Sequence, residues 1–265
     1  MIKIATWNVN SVRSRIGHLT ELLRTEDAPD ILLLQELKCQ DDVFPYMEIE
    51  DAGYNVAVHG QKTYNGVAVL SKHPIDETIK NLPGFELPSP DAIESRYIEC
   101  VISLPDKAIR VASVYVPNGQ EANSEKFKYK LAFFEHLRTH METLLEYNEI
   151  TVIGGDYNVA PANIDVYDPQ SLDNTTCFHP EERKRFRGIL NLGFSDIYRD
   201  FHPKKQRFSW WDYRGGSWQQ NKGMRIDHLL LSPQATDIAL SSGVDPTPRE
   251  KTKPSDHTPV WCTLK

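Results

Sequence analysis

Apolar residues recur along this chain in two rhythms. Short runs at 2–7, 31–35, 54–59, 66–71, 97–104, 109–116, 150–153, 208–211, 226–231 and 260–264 are rich in β-branched, leucine and aromatic residues, and predict strands. Several, such as Ile31-Leu32-Leu33-Leu34, are apolar without interruption, the pattern of a strand covered on both faces. Three segments carry the helical period instead. Val12, Ile16, Leu19 and Leu23 follow a Ser11 cap. Phe127, Leu131, Phe134, Leu137, Met141 and Leu144 mark a long amphipathic helix ending near Tyr147, and Phe186, Ile189 and Leu190 mark a third that starts after Pro180 with its Arg and Lys positions outward. The order of elements lacks a regular βαβ alternation. Sheets packed on one another and flanked by helices therefore fit better than a doubly wound sheet. No heptad, repeat or low-complexity tract interrupts the pattern, and the proline-containing stretch 82–90 reads as a loop inside the domain.

Length and composition narrow the class. A chain of 265 residues is within reach of one large α/β core, so a single domain over 1–265 is expected. Hydrophobic residues at 40% and charged residues at 25% are ordinary for a globular protein, and no apolar stretch approaches the roughly 20 residues of a membrane span. The first residues carry no secretion signal, and Cys39, Cys100, Cys177 and Cys262 lie far apart with no Cys-x-x-Cys pair. A reducing, cytoplasmic location with no membrane association is the expectation. A net charge of −7 weighs mildly against nucleic acid, whose phosphates attract clustered Lys and Arg. Against that stand basic runs at Lys126/Lys128/Lys130, Arg183/Lys184/Arg185/Arg187 and Lys204/Lys205/Arg207, each of which alone reads as a solvated face. Their convergence on one surface would count; their existence does not.

Candidate chemistry sits at the ends of the apolar strands. Trp7-Asn8-Val9-Asn10, Leu34-Gln35-Glu36, Gly154-Gly155-Asp156-Tyr157-Asn158, Arg225-Ile226-Asp227-His228 and Ser255-Asp256-His257 each put polar side chains where a rigid sheet holds them still. Taken singly they are also ordinary strand ends and turns. Together, Glu36, Asp156 and Asp256 with the amides of Asn8 and Asn158 make the oxygen-rich inventory that Mg²⁺ takes, with Mn²⁺ as a substitute. The paired glycines let the backbone turn tightly and approach a ligand. Asp227 opens an apolar strand, a poor place for a charge without a partner, and His257 would gain from a carboxylate that fixes its tautomer.

The ordered set Thr-Trp-Asn-Val-Asn at 6–10, Leu-Gln-Glu at 34–36, Val-Tyr-Val-Pro-Asn-Gly at 114–119, Gly-Asp-Tyr-Asn at 155–158, Phe-Ser-Trp-Trp-Asp-Tyr-Arg at 208–214, Arg-Ile-Asp at 225–227 and Pro-Ser-Asp-His-Thr-Pro at 254–259 resembles the exonuclease III branch of the endonuclease/exonuclease/phosphatase superfamily. The resemblance covers nearly the whole chain. It implies an α/β fold, a four-layer sandwich of two packed mixed β-sheets flanked by helices. It implies Glu36 as principal metal ligand with Asn8 and Asp256 nearby, Tyr115 and Asn158 on the scissile phosphate, Asp156 near nucleophile and leaving group, and Asp227 orienting His257. DNA contacts are expected from Arg96, Asn118, Lys126, Trp210, Trp211, Tyr213, Arg214 and Met224, with at least one of the aromatics serving packing instead. Trp210, Met224 and Ile226 are expected around a pocket for an extruded sugar, with Cys177 near its mouth. The implied activity is abasic-site incision and 3′-end trimming of double-stranded DNA with abasic sites or blocked or recessed 3′ ends, by a monomer. A phosphomonoesterase for inositol phosphates is the competing reading, since Glu36, Gly-Asp-x-Asn and Ser-Asp-His specify chemistry rather than substrate.

Overall fold

The computed structural model describes residues 1–86 and 94–265, so the part of the expected 82–90 loop from 87 onward lies outside the described residues. In chain order the strands are β1 (Ile2–Asn8), β2 (Ile31–Gln35), β3 (Asn55–His59), β4 (Val67–Ser71), β5 (Ile75–Lys80), β6 (Tyr97–Ser103), β7 (Ala108–Tyr115), β8 (Thr151–Asp156), β9 (Ser195–Asp196), β10 (Trp210–Trp211), β11 (Gly223–Met224), β12 (Asp227–Leu231), β13 (Ala239–Val244) and β14 (Val260–Leu264). The helices are α1 (Val12–Leu23), α2 (Tyr46–Glu50), α3 (Glu125–Glu146), α4 (Pro180–Leu190), α5 (Ile197–Phe201) and α6 (Pro233–Asp237). Among the described residues no helix is long and apolar enough to cross a membrane.

Two mixed sheets of six strands form, in the orders β13-β14-β1-β2-β4-β3 and β5-β6-β7-β8-β12-β9, with β10 and β11 as a small separate ribbon. The sheets face each other across Ile4, Leu33, Val69, Val111, Val152 and Leu229. Helix α1 covers the outside of the first sheet, packing Val12, Leu19 and Leu23 on Trp7, Leu32 and Leu34. Helices α3 and α4 cover the second through Phe134, Leu137, Phe186 and Ile189 against Val114, Ile153 and Leu230. The result is the expected four-layer α/β sandwich. Both faces of the central strands are buried, which is why they read as continuous apolar runs. Each fully buried Leu or Ile contributes about 2 kcal/mol of transfer energy, so the central strands anchor the fold.

The helix starts follow local chemistry. The Ser11 hydroxyl accepts from the Ser14 N–H, Ser124 caps α3 by accepting from Phe127 N–H, and α4 opens at Pro180 behind a His179 cap whose N–H is taken by Glu182. Two expectations are revised. Gly154 and Gly155 lie inside β8, not in a turn around a ligand. A Cβ at Gly154 would come within 2.7 Å of Leu33 and Leu229, and one at Gly155 would strike the Val114 carbonyl, so the glycines set the spacing of strands and sheets. Lys130 is not part of a solvated face: it is fully buried, donates to the carbonyls of Asn118 (3.0 Å) and Asn158 (2.7 Å), and pairs with the buried Glu182.

Side-chain alternation places the chemistry. The positions of β1 that point between the sheets run Ile2, Ile4, Thr6, Asn8; in β2 they run Ile31, Leu33, Gln35; in β8, Val152, Gly154, Asp156. Strand β12 runs the opposite way and reads Leu231, Leu229, Asp227. All four change from apolar to polar at the same end of the sandwich. A buried layer of Thr6, Gln35 and Ser113, joined by hydrogen bonds of 2.9 and 3.0 Å, separates the apolar core from the carboxylates above it.

On the outer face of β12, His228 is fully buried against Phe186 and Tyr157, donates through Nε2 to the Val159 carbonyl at 2.8 Å, and meets the Arg225 guanidinium through Nδ1 at 2.9 Å. Arg225 in turn holds Asp165 and Asp196. Burial, reinforced by Arg225, pushes His228 down from 6.5 to about 4. Between those two pH values the unfolded chain binds a proton that the folded chain refuses, so stability falls as pH is lowered through that window, by about 3 kcal/mol. Urea midpoints measured from pH 7 to pH 4.5 should follow this slope, and His228→Gln should flatten it. An unchanged slope in that variant would assign the acid sensitivity to another group.

Candidate active site

The polar end of the sandwich gathers residues from both ends of the chain. Asn8 and Gln35 pair across the parallel β1–β2 ladder, and Tyr115 and Asp227 both pair with Asp156 from either side of β8. Glu36, one residue beyond β2, adopts φ 53°, and Asn158 adopts φ 51°. Asn tolerates the left-handed region; a glutamate there carries strain, of the kind that collects at functional sites. The turn before β14 is tied to β1: Ser255 donates to the Asn8 carbonyl (2.7 Å), and the Trp7 indole donates to the His257 carbonyl (3.2 Å).

Three ligand atoms converge. Glu36, Asp156 and His257 each offer one within 4.8 Å of the others. The Asn8 amide NH₂ lies between the two carboxylates, donating to Glu36 at 3.1 Å and to Asp156 at 3.0 Å, while its oxygen accepts from Asn10 N–H. Glu36 also accepts from the Tyr115 hydroxyl at 2.8 Å and pairs with Lys38 at 2.8 Å. His257 turns Nδ1 to Asp227 at 2.9 Å and Nε2 toward Asp156 at 3.7 Å. Burial opposes charge here, but Asp227 and Asp156 overcome it and raise His257 to about 10. Asp156 goes the other way from its carboxylate range: burial, with Asp227 and Glu36 nearby, pushes it up to about 7 despite His257. Burial raises Glu36 as well, yet Lys38 and then His257 bring it below its ordinary value. The centre is thus an imidazolium between two carboxylates, with a third carboxylate 4.8 Å or less away.

A model of the Endonuclease/Exonuclease/phosphatase family matches residues 5–257, a span that includes every one of these groups. The chain belongs to that family. It is 33% identical over 272 residues to exodeoxyribonuclease III of Haemophilus influenzae, covering 100% of both chains. Among solved structures it is similar to the 3′ phosphatase NExo from Neisseria bound to a product DNA hairpin (TM-score 0.94, 37% identity, 100% of each chain covered). It is also similar to an AP endonuclease from Archaeoglobus fulgidus (TM-score 0.91, 36% identity, 100% of each chain covered).

Within this family member the remaining expected residues divide into groups. Asp256 spends its carboxylate on Asn10 (2.9 Å) and the Trp210 indole (3.0 Å), and Asn158 accepts from Asn118 (2.9 Å) while donating to Val116 O (3.0 Å). Of the five residues expected at a metal, the carboxylates of Glu36 and Asp156 converge, and Asn8, Asn158 and Asp256 are engaged by protein neighbours. Cys177 donates its thiol to Asn158 at 3.6 Å and clusters with Met224, Ile226, Phe178 and Trp210, so the residues expected around a pocket do lie together. Burial pushes that thiol up to about 12, which keeps it neutral.

The rim is mixed. Arg96 stacks on the Tyr115 ring at 5.0 Å and pairs with Glu94. Lys126 is exposed at the start of α3, Tyr213 is half exposed and Arg214 is exposed but paired with Asp212. Trp211 departs from the expected DNA contact: it is 2% exposed, packed edge-on against Trp218 and Phe208, with its indole N–H on Asn221. Arg185, from the second basic run, is consumed by Glu135 and Glu181. The structure adds residues that the sequence reading did not single out. Ser209 donates to Asp227 at 2.6 Å and accepts from two backbone N–H groups, Lys38 reaches Glu36 and Asn10, and Arg15 reaches Asn10 O and Tyr213. A serine beside two tryptophans gives no signal; the lysine two places after Glu36 was visible, but only the left-handed turn brings it back to the carboxylate.

Proposed function

We propose that this chain is a DNA-repair phosphodiesterase that incises double-stranded DNA at abasic sites and trims blocked or recessed 3′ ends, as a cytoplasmic monomer. The observation that carries the reading is the Glu36–Asp156–His257 convergence, with Asp227 behind His257, beside the Trp210–Tyr213 rim. Relatives named as exodeoxyribonuclease III, a 3′ phosphatase and an AP endonuclease support both arms of it. The donor set fits a hard divalent cation, because two carboxylates converge among neutral amides with no thiolate. Glu36 and Asp156 would hold Mg²⁺, or Mn²⁺ in its place, with Asn8 orienting both carboxylates. Bound there, the cation would add positive charge at the phosphate and at the leaving 3′ oxygen.

The protein's own groups do the rest. His257, kept charged by Asp227, donates through Nε2 to a phosphate oxygen as negative charge builds on it. Asn158 and Tyr115 hold the same phosphate in line. A water attacks phosphorus and its proton passes to Asp156 as the bond from phosphorus to the 3′ oxygen breaks, and the departing 3′ oxygen takes up a proton from solvent. A histidine raised to about 10 by Asp227 and Asp156 is already protonated, so the proton of the attacking water is assigned to the Asp156 carboxylate.

Incubation of the protein with an abasic duplex, a recessed 3′ duplex, intact duplex and inositol phosphates, with and without EDTA, tests the reading. Metal-dependent cleavage of the first two is expected. Turnover of inositol phosphates alone would favour the phosphomonoesterase, against which the aromatic rim of Trp210 and Tyr213 stands. The pocket makes a finer prediction, because an abasic sugar enters where an intact nucleotide does not fit. Met224, 8% exposed beside Trp210 and Cys177, is adaptable and leaves the pocket permissive. Met224→Trp is expected to raise the ratio of incision to 3′ trimming by roughly tenfold. Cys177→Trp should impair incision by crowding Asn158 and the pocket mouth. An enzyme that trims ends but never cuts the internal site, in every variant, would remove the pocket and leave the metal centre standing.

A further inference from the structure

We infer that a cleft on the far side of Tyr213 from the catalytic centre binds a DNA backbone phosphodiester, with Arg249 as its principal ligand. The inference deepens the DNA reading above and rests on it. The cleft has a volume of about 300 Å³ and lies between the 212–219 loop and the 3₁₀ turn at Thr247–Glu250, lined by Tyr213, Trp218, Gln219, Arg249, Lys251 and Pro254.

Arg249 is 6% exposed. Two other arginines are comparably buried, and each holds two carboxylates: Arg110 pairs with Glu99 and Glu149, and Arg225 with Asp165 and Asp196. Arg249 has no ion pair among the described residues. Its guanidinium lies between the rings of Tyr213 at 5.2 Å and Trp218 at 5.6 Å, one terminal nitrogen donates to the Trp211 carbonyl at 3.2 Å, and Nε is buried without a partner. Stacking on two rings offsets part of the desolvation of a cation, and a buried guanidinium with unspent donors remains costly until an anion meets it. A phosphodiester suits the planar fork better than a carboxylate of the protein that is not there to be found.

Most of the neighbouring charges are already paired. Asp212 also lines the cleft, and its carboxylate pairs with Arg214 and accepts from the Arg214 backbone N–H. Lys251 pairs with Glu21 across the edge, and Glu250 is the one lining carboxylate without a pair among the described residues, exposed at the rim. Tyr213 links the cleft to the centre, since its hydroxyl meets Asn10, whose amide donates to Asp256. A duplex held at His257 and lying over Tyr213 would bring a backbone phosphate other than the scissile one towards the cleft that Tyr213 lines.

The test uses the full chain and a duplex with a central abasic analogue, bound in EDTA over a range of KCl. Arg249→Met is expected to weaken binding about tenfold at 0.1 M salt and to make the log–log salt slope shallower by about 0.9, the value of one phosphate contact. Arg249→Lys should keep the slope. A series of duplexes with one uncharged methylphosphonate should show one position, outside the scissile phosphate, at which wild type loses affinity and Arg249→Met does not. If Arg249→Met fails to fold, the Nε–H resonance of Arg249 in the wild type, assigned by its loss in Arg249→Lys, should shift saturably as duplex is added. A wild-type slope in Arg249→Met, equal loss at every methylphosphonate, or an unmoved resonance in a bound complex would each overturn the subsite. Failure of the wild type to bind the duplex at all would instead bring down the DNA reading itself.

Discussion

Replacement of His257 by alanine is expected to lower kcat on an abasic duplex by about 10³-fold, because it removes the charged donor facing the phosphate. Its effect on duplex affinity in EDTA should be small, since the side chain is buried and only its Nε2 edge is offered to substrate. The partner matters through it. Asp227 touches His257 at Nδ1 and is itself held by the Ser209 hydroxyl, so Asp227→Ala acts by releasing the imidazole and lowering its charge. The double variant Asp227→Ala/His257→Ala should therefore be slower than His257→Ala by less than about threefold, as for residues that work as a unit. Single-turnover rates for the four proteins close the cycle. Losses that add fully in log rate would show that the two side chains serve the reaction separately.

Glu36→Gln is the second large effect. The amide keeps the shape of the carboxylate and still accepts from the Tyr115 hydroxyl, but it deletes one of the two converging charges. The Mg²⁺ concentration for half-maximal rate should rise by at least ~10-fold, and saturating metal should recover part of kcat. Duplex affinity in EDTA should not weaken, because the basic and aromatic rim is untouched and a negative charge near the phosphate has gone. Lys38, freed from Glu36, remains on Asn10. A Mg²⁺ titration superimposable on wild type would remove Glu36 from the metal role.

How far the sequence alone could be read depended on burial. The central strands β1, β2, β4, β7 and β12 have both faces covered, and their apolar runs announced them. Strands β5 and β13 escaped notice because Ile75–Lys80 and Ala239–Val244 carry mostly exposed or small polar residues, whereas the edge strand β3 keeps its alternating apolar positions. At the site, Asn8, Glu36, Asp156, Asp227 and His257 stood out as polar residues beside apolar strands, ordinary when taken singly, and it was the ordered motif set that joined them; the structure brings the five side chains together. Ser209, Lys130 and Arg249 were not legible, since their roles depend on contacts with residues 18 to 52 positions away or on a missing counter-charge. The glycine pair was misread for a related reason. What makes glycine necessary at 154 is Leu33 and Leu229, neither of which is near it in sequence.

The neighbourhood of β1 and β14 bears on when the candidate site forms during synthesis. β1 carries Asn8 and pairs with β14 on one side and β2 on the other, while Asp256 and His257 lie just ahead of β14. During synthesis β1 and β2 emerge well before β14, so β1 waits with one edge open until β14 follows. Only the closing of that ladder brings the imidazole to the carboxylates of Glu36 and Asp156. A chain in which β14 has yet to pair with β1 thus lacks the convergence of Glu36, Asp156 and His257, whatever the fold of its earlier strands.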